Sequence, residues 1–249
     1  MPMMNEIGKQ SGVPRQRLSP RLEALLVEVG RCQLLIDLCA DHARLALAAV
    51  ARGQAHRAVA IELRKAPLEE ARRALRESPC ADRILLVRGD GLDALARAES
   101  AEAGRALVIA GVGGDLAAQL LARSGDAAGA ERLVVQPNRH AAEVRTWAHA
   151  HGFHLRAERA VPEGRRLHLL LSFSRAQGQD PAYADLPLEL GFILGPLFLR
   201  SSESCARAHL RREEKRLRAL TALRPALAAA HAVLAACIKR SWSPPRGGD

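Results

Sequence analysis

QLLIDLCADH, residues 33–42, decides the fold of this chain. Apolar residues run up to Asp37, and the chain then passes Leu38, Cys39 and Ala40 to reach a second acid, Asp41, and His42. A short apolar run that ends in a polar tip reads as a buried strand whose carboxyl end faces a ligand. Four more segments have this form. Residues 57–62 end on Glu62, residues 84–87 lead to Gly89, Asp90 and Gly91, residues 106–110 lead to Gly111, Val112, Gly113 and Gly114, and residues 133–135 lead to Gln136, Pro137 and Asn138. In an open parallel sheet the ligand lies beyond the carboxyl ends of the strands, so the five tips are expected to converge on one crevice.

Outward from these strands the pattern is helical. Ser19 and Pro20 are suited to the N-cap and first position of a helix running to Gly30. Helical stretches follow at 41–52, 65–77, 92–97, 115–123 and 141–150. Strands separated by helices imply right-handed crossovers and a parallel sheet. Two more strands, 153–160 and 166–174, are joined by a turn at Pro162, Glu163 and Gly164, too short for anything but antiparallel pairing. Residues 1–17 have no periodicity and read as a disordered tail. The stretch 176–187, rich in Gly, Asp and Pro, reads as a boundary. After it comes an apolar run, 188–199, broken by Gly195 and Pro196, and then a helix over about 202–223 that Pro225 ends. A second helix runs to about 240. Leu220, Leu223, Leu227, Ala230, Leu234 and Cys237 form an apolar seam suited to a helical hairpin. The expected division is a tail (1–17), an α/β domain (18–185) and a basic helical, coiled-coil-like domain (186–249).

Composition narrows the class. With 249 residues, 48% of them hydrophobic, the chain has material for a sizeable core. No apolar run approaches the roughly 18 to 20 residues of a membrane span, and the first residues carry no apolar leader, so a cytoplasmic protein is expected. The five cysteines are scattered and never spaced as CxxC, which indicates neither a disulfide frame nor a metal site. Of the net charge of +10, +7 lies in residues 200–249, where eleven Lys and Arg face four acids. A concentrated basic face favours a nucleic-acid partner. Arg207, Arg211, Lys215 and Arg218 fall at helical spacing and form the expected phosphate-binding stripe. Nothing in the sequence sets the oligomeric state, and a monomer is favoured.

The strand tips can be given chemistry. Asp37 closes the first strand and Glu62 lies 25 residues later at the end of the second, the arrangement in which an acid binds ribose hydroxyls. A dinucleotide site would place GxGxxG after the first strand, so that amides cradle a pyrophosphate. This chain has two acids and no glycine there. Acids repel a pyrophosphate but suit S-adenosylmethionine, which carries a sulfonium and an amino group.

The order Leu18-Ser19-Pro20-Arg21-Leu22, then residues 37–43, Gly89-Asp90-Gly91-Leu92, Ile109 through Gly114, Gln136-Pro137-Asn138 with His140, and Leu194-Gly195-Pro196 resembles the bacterial tRNA (adenine-22, N1)-methyltransferase family over about residues 18–200. The resemblance implies a Rossmann-like class I methyltransferase sheet, mostly parallel with an antiparallel C-terminal strand pair, followed by a small helical domain. It implies S-adenosylmethionine as donor and N1 of an adenine in tRNA as acceptor. By position, Asp37, Cys39, Asp41, His42, Glu62, Asp90 and Gly91 fall in the donor site, and residues 111–114 with Gln136, Pro137 and Asn138 line the reaction cleft, Gly111 and Gly113 also touching the donor. The first loop departs from the family pattern: Cys39 stands where the family has a glycine, and its side chain is expected to crowd the donor or to force a positive φ.

N1 of adenine attacks the methyl carbon directly, so alignment matters more than a strong base. N1 lies on the Watson-Crick edge, which requires an unpaired or flipped base. Asn138 is expected to hold that edge near the amino group, and His42 to contact donor or substrate. Asp115 and His140 are expected to be helix caps. The alternative readings are a methyltransferase acting on another RNA base or a small molecule, and a non-catalytic RNA-binding relative.

Overall fold

Ser19 and Pro20 start the first helix as their chemistry requires: the Ser19 hydroxyl accepts from the Leu22 amide at 3.5 Å, and Gly30, at φ 62°, ends the helix. The computed structural model describes residues 17–91, 103–124, 129–221 and 228–240. The expected tail up to residue 16, the helix at 92–97, and Leu223 and Leu227 of the seam, with Pro225 between them, lie outside the described residues.

The elements are α1 (Pro20–Val29), β1 (Cys32–Leu38), α2 (Arg44–Ala51), β2 (Ala55–Glu62), α3 (Lys65–Arg76), β3 (Ile84–Arg88), β4 (Arg105–Val112), α4 (Gly114–Arg123), β5 (Arg132–Pro137), α5 (Ala141–Ala150), β6 (Phe153–Glu163), β7 (Arg166–Arg175), α6 (Leu188–Leu194), α7 (Pro196–Arg200), α8 (Ser204–Thr221) and α9 (Ala228–Arg240). The strands form one sheet in the order β3-β2-β1-β4-β5-β7-β6. β1 to β5 run parallel, and β7 is antiparallel to both β5 and β6. The strand order reverses between β1 and β4, which opens the crevice there. Alternate residues of each strand feed two cores. Leu34, Ile36, Leu107, Ile109 and Val135 pack with α4 and α5, whereas Leu35, Ala58, Ala60, Val108 and Val134 pack with α1 and α2.

Two local readings need correction, and a third gains detail. The helix expected from residue 41 begins at Arg44, because Cys39, Asp41 and Ala43 have φ of 58°, 52° and 52°, left-handed values that no helix can contain. The hairpin turns at residues 164–165, with Gly164 at φ 58°, and Pro162 lies inside β6. β6 is the outer strand of the sheet, where a missing amide leaves no neighbour unpaired. The stretch 176–187 is fastened down: Asp180 accepts from the Ala182 amide at 2.9 Å and from the Leu155 amide at 2.8 Å, and Ala182 and Tyr183 are buried in the core.

The C-terminal helices join the sheet through a buried ion pair. Arg145 Nε of α5 donates to Glu158 Oε1 of β6 at 2.6 Å, with side chains 1% and 0% exposed. Arg145 Nη1 also donates to the Phe192 carbonyl of α6, and Glu158 Oε2 accepts the Leu197 and Phe198 amides of α7. Gly195, at φ 81°, lets the chain pass: a Cβ there would lie 2.7 Å from both charged groups. Around this joint Ala160, Leu194, Phe198, Leu210, Leu217 and Leu234 form a third core, and His231 of α9 meets Glu214 of α8 at 3.0 Å.

Removing one partner of such a pair strands the other charge without solvent. Arg145→Met is expected to cost about 3 to 5 kcal/mol in chemical denaturation, and Arg145→Met with Glu158→Leu to recover part of that loss. A single variant as stable as the parent would show that the pair does not organise the joint.

Candidate active site

The side of the crevice expected to hold the donor is built by the loop after β1. Cys39, Asp41 and Ala43 alternate in the left-handed region, a cost of order 1 kcal/mol each for residues with a Cβ. Glu62, buried at the end of β2, holds the loop in place: Oε2 accepts from the Asp41 amide at 2.9 Å, and Oε1 accepts from the Arg64 amide at 2.8 Å and Arg64 Nε at 3.1 Å. Arg64 also reaches Asp41 Oδ1 at 2.9 Å, so a guanidinium lies across the acid expected to clamp a ribose. Oε2 keeps a free lone pair for a hydroxyl.

Asp37 is 3% exposed, and its Oδ2 has no hydrogen-bond partner. Burial pushes its carboxyl up to about 7; an amide bond from Ala46 opposes this, the Glu62 charge adds to it, and the Arg21 charge opposes it. A buried acceptor without a partner at the switch point fits a ligand that brings a donor or a positive charge. Burial, with Glu62, Asp37 and Asp90, raises the Cys39 thiol to about 11, so it is not a thiolate at neutral pH. Asp90 pairs with Arg123 at 3.4 Å, and Gly91 sits at φ 67° beside Leu120. His42 is drawn to α3: its ring meets Glu70 at 2.9 Å and Asp41 at 3.3 Å, which groups it with the donor loop.

On the other side of the crevice the ends of β4 and β5 are zipped together. Gly111, at φ 80°, is the extra residue of a bulge between Ala110 and Val112. The Asn138 amide donates to the Val112 carbonyl at 2.7 Å and the Gly114 amide to the Arg139 carbonyl at 2.8 Å. Only glycine fits at 114, because a Cβ would overlap the His140 carbonyl. Asn138 Nδ2 donates to the Gly111 carbonyl at 2.6 Å, Gln136 Nε2 donates to Asn138 Oδ1 at 3.1 Å, and Arg21 Nη1 donates to Gln136 Oε1 at 3.0 Å. Gln136 and Pro137 are buried, and Asn138 is exposed. His140 occupies the N-cap position of α5 without a side-chain capping bond, and Asp115 lies in the first turn of α4; their side chains pair with each other and tie the starts of the two helices together.

Beyond Asn138 lies a cavity of about 960 Å³ between the β5 tip, the β6–β7 turn and α8. Arg139, Arg145, Arg165, Arg166, Arg212 and Arg216 line it, against Glu143 and Glu213. Burial and the nearby arginines lower His209 to about 4, so this wall residue is neutral at physiological pH. The expected stripe is elsewhere. At 3.6 residues per turn, Arg207, Arg211, Lys215 and Arg218 centre roughly 125° from Arg212 and Arg216 around α8. Arg211, Lys215 and Arg218 are exposed and Arg207 is half-buried. Spacing alone identified a stripe; which face meets the cavity is set by Ala206, Leu210 and Leu217, the residues that α8 buries. No local signal in the sequence brings Arg21 to Gln136, 115 residues away.

Among the described residues no group of three or more His, Cys, Asp or Glu is placed to hold a metal ion, and no helix is long and apolar enough to cross a membrane. A family model described as tRNA (adenine(22)-N(1))-methyltransferase matches residues 35–237. A Bacillus subtilis protein of that name is 31% identical over 189 residues, 76% of this chain and 77% of the relative. The crystal structure of the B. subtilis m1A22 tRNA methyltransferase TrmK superposes with a TM-score of 0.79 at 26% identity, covering 89% of this chain and 99% of that one. A Streptococcus pneumoniae protein solved in complex with S-adenosyl-L-methionine superposes with a TM-score of 0.76 at 26% identity, over 89% and 100% of the two chains.

Two outcomes are expected of the donor loop. Cys39→Gly removes both a side chain and a left-handed strain, so donor affinity measured by calorimetry should rise or stay level, whereas a large loss would show a loop adapted to cysteine. Asp37 has a folded pKa above its unfolded value of 3.8, so the native state holds the extra proton and this group's contribution to stability fades as pH rises towards about 7. A cationic donor prefers the carboxylate, so its affinity should strengthen between pH of about 6 and about 8 and lose that dependence in Asp37→Asn. A flat profile in the parent protein would place the donor's charge away from Asp37.

Proposed function

The chain belongs to the tRNA (adenine(22)-N(1))-methyltransferase family, and we propose that it transfers a methyl group from S-adenosylmethionine to N1 of adenine 22 in tRNA. The observation that carries this reading is the crevice itself: a buried acid with one oxygen left unbonded, Asp37, on one side, and the zipped Gly111–Asn138 contact opening into an arginine-lined cavity on the other. When bound, the donor supplies an electrophilic methyl group on a sulfonium.

The chain's own residues hold and align. Asp37, Asp41, Glu62 and Asp90 surround the donor side with negative charge, while Cys39, Gly91, Gly111 and Gly113 shape its backbone. Asn138, braced by Gln136 and Pro137, faces the cavity and accepts from the adenine amino group, which leaves the N1 lone pair free. His42, tied to Glu70, steadies the donor loop. Residues 18–185 form the donor-binding domain and residues 186–249 the basic helical domain, and the enzyme acts on tRNA in the cytoplasm. Phosphates of the tRNA lie against the cavity wall, where Arg165, Arg166, Arg212 and Arg216 project, in preference to the stripe of Arg207, Arg211, Lys215 and Arg218.

Unmodified tRNA incubated with protein and donor should yield 1-methyladenosine by nucleoside mass spectrometry, with the rate falling about tenfold or more in Asn138→Ala. Replacing Arg165, Arg212 and Arg216 with Ala should weaken tRNA binding and flatten its salt dependence by about one unit of slope per residue, with a smaller effect from Arg211, Lys215 and Arg218. Intact tRNA binding without product would favour a non-catalytic relative. The reverse order of the two arginine sets would move the RNA to the outer face of α8.

A further inference from the structure

Arg21 stands in the first turn of α1, yet its guanidinium is committed to the acceptor side of the crevice, where Nη1 donates to Gln136 Oε1 at 3.0 Å. Gln136 is completely buried, so no solvent competes for its amide. From Gln136 the bonds run on to Asn138 Oδ1 and from Asn138 Nδ2 to the Gly111 carbonyl. A guanidinium only donates and a carbonyl only accepts. The two ends therefore fix the direction of every bond between them, and neither amide can turn over without setting donor against donor or acceptor against acceptor. Asn138, the exposed member, is left with one lone pair on Oδ1 and one N–H on Nδ2 to offer a base.

We propose that Arg21 is the positioning residue for the acceptor adenine, acting through Gln136 to hold Asn138 with its oxygen available to the exocyclic amino group. This rests on the reading of Asn138 given above. The direction of the relay matters because the nucleophile is a lone pair. An N–H laid on N1 would occupy that lone pair, whereas an oxygen that accepts from the amino group leaves it free to attack. Arg21 can be altered without undocking α1, because its backbone N–H is held separately by Glu163 Oε2 at 3.0 Å. Its charge also lies near Asp37, Glu163 and His168, so the test keeps the donor saturating throughout.

The variants are Arg21→Met, which fills the space without a donor, and Arg21→Lys, which still only donates. Single-turnover transfer into unmodified tRNA at saturating donor and tRNA should slow about tenfold or more in Arg21→Met, the usual consequence of a buried acceptor left unmatched. The tRNA KM should stay within about twofold, and Arg21→Lys should restore most of the rate. In a Gln136→Met background, Arg21→Met should cause no further loss, since the relay is already cut. In the free protein, NMR should show faster exchange of the Gln136 side-chain amide in Arg21→Met but not in Arg21→Lys. Additive losses in the double variant, a rise in tRNA KM alone, or no rescue by lysine would overturn the proposal. If Asn138→Ala slows transfer while Arg21→Met does not, Arg21 has been misread; if neither slows it, the assignment of Asn138 fails instead.

Discussion

The crevice depends on one close approach of backbone to backbone, the contact of Gly114 with residues 139–140. The chain can come this near only where no Cβ intervenes, and the gain is a pair of amide-to-carbonyl bonds, Gly114 to Arg139 and Asn138 to Val112, that make the tips of two neighbouring strands a single surface. The bulge at Gly111 then turns a carbonyl towards Asn138. The pairing of Asp115 with His140 adds a side-chain link outside the same junction. Loops at strand ends are ordinarily the mobile part of an α/β sheet. Here two of them brace each other through their own backbone bonds.

The cavity beyond that junction depends on Arg145 and Glu158. This pair has no solvent, and its desolvation is offset by amides of α7 and a carbonyl of α6 as well as by mutual attraction. Because the same four bonds hold α6 and α7 against β6, they also set where α8 begins and which of its faces looks back at Asn138. The basic wall and the reaction crevice are thus parts of one packed body.

The sheet was legible because its signals are local. Apolar runs with polar ends at 37, 62, 90, 111 and 136 mark strands wherever they occur, and the short turn near Gly164 leaves no pairing but antiparallel. The misread boundaries share a cause: conformations carried by residues that do not advertise them. Cys39, Asp41 and Ala43 have left-handed backbones without a glycine among them, so helix α2 seemed to start early. Nothing in the sequence marks Arg145, Glu158 and Asp180 as buried, because burial of a charge is a property of the assembled fold. In the site, the tips of β1, β2 and β5 were found from their position on strands. Arg21 was not, because its partner is 115 residues away, and the face of α8 that lines the cavity was not, because charge spacing says nothing about which side the core claims.

The left-handed residues of the first loop have one more consequence. Alternating backbone of this kind turns successive amides inward to make a nest, the device with which many sheets grip phosphate. In this chain the amides are taken from within: that of Asp41 is bonded to the Glu62 carboxylate of the adjoining strand, that of Ala40 to the Ile61 carbonyl and that of Ala43 to the Ala40 carbonyl. The carboxylate is part of the polypeptide and cannot dissociate. ATP, GTP and the pyridine dinucleotides draw their affinity from phosphate and are abundant wherever tRNA is made. They meet a loop whose inward amides are already bonded and whose carboxylates, Asp41 and Glu62, repel phosphate. Adenosine compounds without phosphate meet no such barrier, so the loop's internal bonding disfavours the phosphate-bearing part of the nucleotide pool.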